Sequence, residues 1–159
     1  MTETAHQVAD KLAITEQLTR YARGVDTHDW DLWKSVFTDD AIVDYSSATG
    51  LPAASRDDTA TFLADSMPFL PWKQHYITNV EIEIDGDCAR VRAAFYNPMQ
   101  LPGLPEPSAC GGYYHHQFVR TADGWKSEHL VEESCWFVNP FPSTEPAAAT
   151  ATEAETEQS

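Results

Sequence analysis

Basic residues are scarce in this chain. Ten Lys and Arg stand against 25 Asp and Glu, for a formal net charge of −15. Nucleic acid and anionic membrane surfaces attract the opposite sign, so neither is expected as a partner. Part of the acidity is peripheral: the last segment, STEPAAATATEAETEQS, holds four Glu and no Lys or Arg. Cysteine is also sparse. Cys88, Cys110 and Cys135 are an odd number without CxxC spacing, which excludes a disulfide framework or zinc knuckle and points to reduced thiols in a cytoplasm. The opening MTETAHQVADK has neither a basic start nor an apolar run, unlike a secretion signal. No stretch approaches the roughly 20 apolar residues that span a bilayer.

Several catalytic signatures are missing as well. The chain has no GxSxG elbow, no GxxxxGK or GxGxxG phosphate loop, and no HxH or HxxxH metal pair. Adjacent strand residues point to opposite faces, so His115 and His116 cannot chelate one ion together. Neither a metal nor a nucleotide cofactor is expected.

What the chain does have is 42% hydrophobic and 11% aromatic residues over 159 positions, enough for one domain with a real core. Thr4 and Gln7 form a capping-box pattern, and Ile14, Leu18, Tyr21, Ala22 and Val25 recur at three- and four-residue spacing. This predicts a helix to about Gly24. THDWDLWKSVF predicts a short second helix and SRDDTATFLADSM a third, capped by Ser55, with Phe62 and Leu63 inward. The second half reads as two long hairpins: QHYITNVEIEI and CARVRAAFY around an Asp-Gly turn, then ACGGYYHHQFVR and WKSEHLVEESCWFV. Helices first and antiparallel strands second predict an α+β fold. The expected domain is 1–142, followed by a disordered acidic Ala/Thr/Glu tail at 143–159.

Asp26 breaks the apolar stripe of the first helix. It lies four residues after Ala22 and eight after Leu18, where a carboxylate turned toward a core needs a partner. Two readings are open. Asp26 caps the second helix, or it meets a polar group from elsewhere. His75 opens the first long strand, and strict alternation puts it on the face opposite Val80, Ile82 and Ile84. Either His75 faces solvent, or a bulge near Thr78–Asn79 resets the parity. On the third long strand Tyr114 and His116 share a face with Phe118, while Tyr113, His115 and Gln117 share the other. Imidazoles, carboxylates and phenols in an aromatic-rich chain suit proton transfer on an apolar substrate.

The stretches RYARGVDTHDWDLWKSVFTDDAIVDYSS, KQHYITNVEI and GGYYHHQFVRTADGWK resemble the SnoaL-like branch of the nuclear transport factor 2-like superfamily. The likeness runs from about Ala13 to Phe137. Within that branch it is nearest in motif to scytalone dehydratase, bile-acid 7α-dehydratase and hexachlorocyclohexane dehydrochlorinase. The resemblance implies a conical α+β barrel, in which a strongly curved antiparallel sheet wraps a deep pocket closed by N-terminal helices. It implies a cofactor-independent lyase or isomerase, most simply a dehydratase, acting on a hydrophobic cyclic molecule such as a steroid or polyketide. The matching catalytic pair is His75 and Asp26. Tyr21 and Tyr45 match pocket phenols, and Tyr114 and His116 match by hairpin position; all four are expected to bind substrate, with Tyr21, Tyr45 or His116 donating to its oxygen. Two departures stand out. Val25 replaces the tyrosine that scytalone dehydratase carries before its aspartate, and no last-strand arginine matches the bile-acid enzyme's. The superfamily also contains non-catalytic ligand-binding proteins and accessory subunits, which is the alternative reading. It further implies a homo-oligomer, dimer or trimer, with Trp136, Phe137, Val138 and Phe141 closing the pocket or joining a subunit.

Overall fold

The computed structural model describes residues 4–141. The expected disordered tail at 143–159 lies outside the described residues. Helix α1 (Ala5–Thr27) starts at a complete capping box: the Gln7 amide donates to Thr4 Oγ1 at 3.2 Å and the Thr4 amide to Gln7 Oε1 at 2.9 Å. It buries Ile14, Leu18, Tyr21, Gly24 and Val25, and it ends at His28 in the left-handed region (φ 57°). Among the described residues no helix is long and apolar enough to cross a membrane.

A short helix α2 (Trp30–Lys34) follows, capped by Asp29, whose Oδ1 accepts the Leu32 amide at 2.9 Å. The capping role is therefore filled without Asp26. The two helices touch closely. A Cβ placed on Gly24 would lie 2.8 Å from Trp33 Cβ and 2.9 Å from the Trp33 backbone, so only glycine fits this crossing.

Strand β1 (Phe37–Asp44) leads through a one-turn helix α3 (Ser46–Thr49) and a two-residue strand β2 (Ala54–Ser55) to helix α4 (Arg56–Ser66). Ser55 caps α4 by accepting the Asp58 amide at 3.1 Å. Leu63 turns inward, but Phe62 stays 37% exposed. This corrects the expectation that both face the core: adjacent helical residues diverge by about 100°, and α4 is covered on one side only.

Strands β3 (Tyr76–Asp85), β4 (Cys88–Met99), β5 (Ser108–Thr121) and β6 (Gly124–Val138) complete one curved, open six-stranded sheet in the order β2-β1-β6-β5-β4-β3. The two hairpins have the expected strands. The expectation of a wholly antiparallel sheet needs one correction, because β1 pairs with β6 in parallel. β1 arrives from the helical layer instead of from a hairpin turn, so nothing local forces it to run against its neighbour.

Two irregularities shape the sheet. In β3 the register shifts between Thr78 and Glu81, and Asn79 takes a φ of 49°. The inserted residue lets Ile77 and Val80, three positions apart, both pack on the core, and it puts the strand's opening on the inner face. In β5 the register shifts at Gly111/Gly112. The Glu133 carbonyl oxygen lies 1.8 Å from where a Gly112 Cβ would be, so β6 bends over a position that only glycine can occupy.

A charged clasp fixes the N-terminal half of α1. Asp10 accepts two bonds of 2.8 Å from Arg120 and one of 3.0 Å from Trp125 Nε1. Arg120 stacks over the Trp125 ring and also holds Asp87. Its hydrogen bonds depress the Asp10 carboxyl from 3.8 to about 2. A depressed carboxyl gives stability that is present above its unfolded value and lost as pH falls through the folded one. We expect the clasp's contribution to disappear between pH 3.8 and about 2. Thermal melts of wild type and Asp10→Asn across that range test this: the two curves should converge at the acid end, and a constant offset would refute the clasp.

Candidate functional site

Asp26 and His75 meet at the junction of α1 and the start of β3. His75 Nδ1 lies 2.7 Å from Asp26 Oδ1, and the His75 backbone amide donates to Asp26 Oδ2 at 3.0 Å. One carboxylate thus holds both the ring and the main chain of the histidine. An ionised carboxylate only accepts, so the proton sits on Nδ1 and the lone pair on Nε2. The side chains are 12% and 22% exposed, respectively: half-sheltered, yet open to an incoming molecule. Asp26 stands in the last turn of α1 and His75 beside the β3 bulge. Each position comes from its own local geometry.

A phenol cluster lies deeper. Tyr21 and Tyr45 hydroxyls are 2.6 Å apart. Tyr114 packs edge-on against Tyr21 with ring centroids 5.2 Å apart and stacks on Phe95 at 4.4 Å. Its hydroxyl accepts from Asn97 Nδ2 at 3.1 Å. Burial, the leading cause, pushes all three phenols well above their usual range. They stay protonated and keep O–H groups to offer. Trp33, Phe37 and Leu130 complete the apolar wall. A cavity of about 100 Å³ opens beside Tyr45, lined among others by Val43, Leu51, Thr59 and Phe62.

His116 is the inward histidine of the pair, and it is 1% exposed. His115 faces outward and pairs with Glu133 at 2.7 Å. The Ser127 hydroxyl donates to the His129 carbonyl, so His116 Nδ1–H donates to Ser127 Oγ at 2.9 Å and Nε2 is left as an acceptor. Nε2 has no hydrogen-bond partner among the described residues. Burial drives this imidazole down to about 3, so it is neutral. In this tautomer His116 presents an acceptor at Nε2, not the N–H donor that the resemblance implies.

Three residues near the site were not foreseen. Asn97 is 6% exposed and fixes the Tyr114 hydroxyl. Lys73 contacts His28 Nε2 at the rim, and burial lowers its ammonium while the Asp26 charge opposes the shift. Glu132 carries a carboxyl that burial pushes above the ordinary glutamate range, against the opposing pull of the Ser134 hydrogen bond and, less, the charge of His75. Alternation could have marked two of them: Asn97 follows the inward Phe95 by two, and Glu132 follows the inward Leu130 by two.

The chain was compared with known proteins. A family model described as a SnoaL-like domain matches residues 6–131. A protein of Mycobacterium tuberculosis, described as uncharacterised, is 31% identical over 131 residues, covering 82% of this chain and 88% of its own. The crystal structure of the Kfla4162 protein from Kribbella flavida superposes with a TM-score of 0.78 at 29% identity, covering 84% of this chain and 95% of that one. The type 3 hexachlorocyclohexane dehydrochlorinase from Novosphingobium barchaimii gives a TM-score of 0.73 at 20% identity, covering 83% and 90%; at that identity it attests the fold alone. The helices closing a curved open sheet, and the family model spanning most of the described chain, lead to one conclusion: the chain belongs to the SnoaL-like domain family, with the nuclear transport factor 2-like fold.

Proposed function

We propose that this protein is a cofactor-independent lyase or isomerase, of dehydratase type, acting on a hydrophobic cyclic small molecule such as a steroid or polyketide. The observation that carries the reading is the pair of hydrogen bonds that His75 donates to Asp26, 2.7 Å from the ring and 3.0 Å from the amide. A carboxylate that fixes one imidazole nitrogen leaves the other as a base and stabilises the imidazolium formed when it takes a proton. His75 Nε2 removes a proton α to a carbonyl. The enolate oxygen that develops is met by buried phenol O–H groups of the Tyr21–Tyr45–Tyr114 cluster. Donors already in place in a dry site stabilise such charge without reorganisation. The aromatic walls supply the apolar contact that a ring system needs.

The test is to incubate the wild-type protein with a panel of cyclic β-hydroxy ketones and follow enone absorbance, with α-proton exchange in D₂O read by NMR. Enone formation and exchange are expected, both lost in His75→Gln. A ketone that binds without exchange or elimination would instead mark a ligand-binding protein of the same fold. The reading extends to assembly as a dimer or trimer. Trp136, Phe137, Val138 and Phe141 are 44–58% exposed, an apolar run at the end of β6 suited to a second copy. Sedimentation equilibrium tests it, and a monomer would refute it.

A further inference from the structure

Among the described residues, Glu132 is a carboxyl in no ion pair. It sits on the inner face of β6, directly opposite Tyr114 on β5 and two residues after the fully buried Leu130. Ser134 Oγ donates to its Oε1 at 2.9 Å; among the described residues no other side-chain hydrogen bond reaches the carboxyl. Its backbone is clamped, because Ser47 Oγ donates to the Glu132 carbonyl at 2.6 Å and accepts the Ser134 amide at 3.0 Å. The charge of Glu132 bears on Tyr21, Tyr45 and Tyr114, and His75 bears on Glu132. Cross-strand pairing with Tyr114, whose ring packs on Tyr21, puts Glu132 on the face of the sheet that carries the phenols. The family resemblance points to a base there and assigns this residue nothing.

We propose that Glu132 is the general acid of the site, delivering a proton to the leaving oxygen while His75 takes one from carbon. The inference rests on the lyase reading above and narrows its substrate class to molecules that lose water or an alcohol or phenol. Such leaving groups depart as poor anions unless protonated, whereas a halide needs no proton. The step balances. His75 Nε2 takes the α-proton, and the C–H electron pair becomes the carbon–carbon π bond. The β-carbon–oxygen bond breaks with its electron pair on oxygen, and that oxygen leaves with the Glu132 proton. Imidazolium and carboxylate remain, and transfer of one proton from His75 to Glu132 restores the starting state. The two groups are coupled in the useful direction. Burial favours the protonated carboxyl, and the imidazolium formed on proton abstraction favours its ionisation.

The test uses 4-phenoxybutan-2-one and 4-(4-nitrophenoxy)butan-2-one, which differ in how much the leaving oxygen needs a proton. Glu132→Gln keeps the shape and the Ser134 bond. It is expected to cut turnover of the phenol-leaving probe by about 10²-fold or more and that of the nitrophenol-leaving probe only a few-fold. Equal losses on both probes, or no loss on either, would overturn the assignment. His75→Gln should lose both. A second measurement needs no substrate. In a ¹³C NMR titration, assigned with Glu132→Gln, the Glu132 carboxyl should titrate above the ordinary glutamate range and rise further in His75→Gln. An ordinary titration, indifferent to His75, would overturn the coupling. If the wild type turns over neither probe, the elimination reading fails for these ketones, while a raised and His75-responsive Glu132 still supports proton exchange between the two groups.

Discussion

Substituting His75 with glutamine should lower the turnover number for elimination by about 10²–10⁴-fold, the usual worth of a positioned general base, with little change in KM. The imidazole contributes where charge develops, not where an apolar substrate is held, and a loss confined to kcat is the signature of that difference. Asp26→Asn should fall in the same direction for a separate reason. The amide oxygen can still accept one bond from His75, but it carries no charge to balance an imidazolium. It also forfeits one of two acceptors, the one that now holds the His75 amide at 3.0 Å. Steady-state kinetics on the first ketone found to eliminate, with circular dichroism to confirm folding, decide the matter. A folded His75→Gln protein with wild-type turnover would remove His75 from the chemistry.

Trp33→Ala is expected to cost about 3–5 kcal/mol of stability, the range for emptying a large aromatic site in a packed core. Trp33 is fully buried, packs on Phe37 with ring centroids 4.6 Å apart and on Tyr21 at 6.3 Å, and fills the space that Gly24 leaves open. A smaller side chain cannot be compensated by drawing the helices together, because they already touch at Gly24. Trp33→Phe should cost clearly less. Urea denaturation of the three proteins provides the comparison. A loss under about 1 kcal/mol for Trp33→Ala would mean that the α1–α2 crossing relaxes more freely than its packing implies.

How much of this was legible depended on the range of the signal. The α1 stripe, the Thr4–Gln7 and Ser55 caps and both hairpins are local patterns, and local patterns survive in a single sequence. Asp26 was legible as an exception to such a pattern. The bulge before Val80 was legible only as one of two options, the other being a His75 that faces solvent. The parallel β1–β6 pairing was not legible, because it joins segments some 90 residues apart that share no turn. The exposure of Phe62 depends on how α4 lies against the sheet, which its own residues do not encode. Asn97 and Glu132 were readable in principle by alternation, but "FYNPM" and "LVEES" resemble ordinary strand sequence until their neighbours are known. Which histidine of the pair turned inward was settled by the register with β6, where His116 faces Leu130 and His115 faces Val131.

One further consequence follows from how His75 is held. Its amide proton is secured by a side chain from the end of α1, not by a rung of the sheet. Solvent exchange at that single amide therefore clocks the undocking of the first helix from the sheet's edge. In the wild type it should exchange no faster than the helix lifts away; in Asp26→Ala it should exchange as an open strand end does, while its ladder-bonded neighbours in β3 keep their protection.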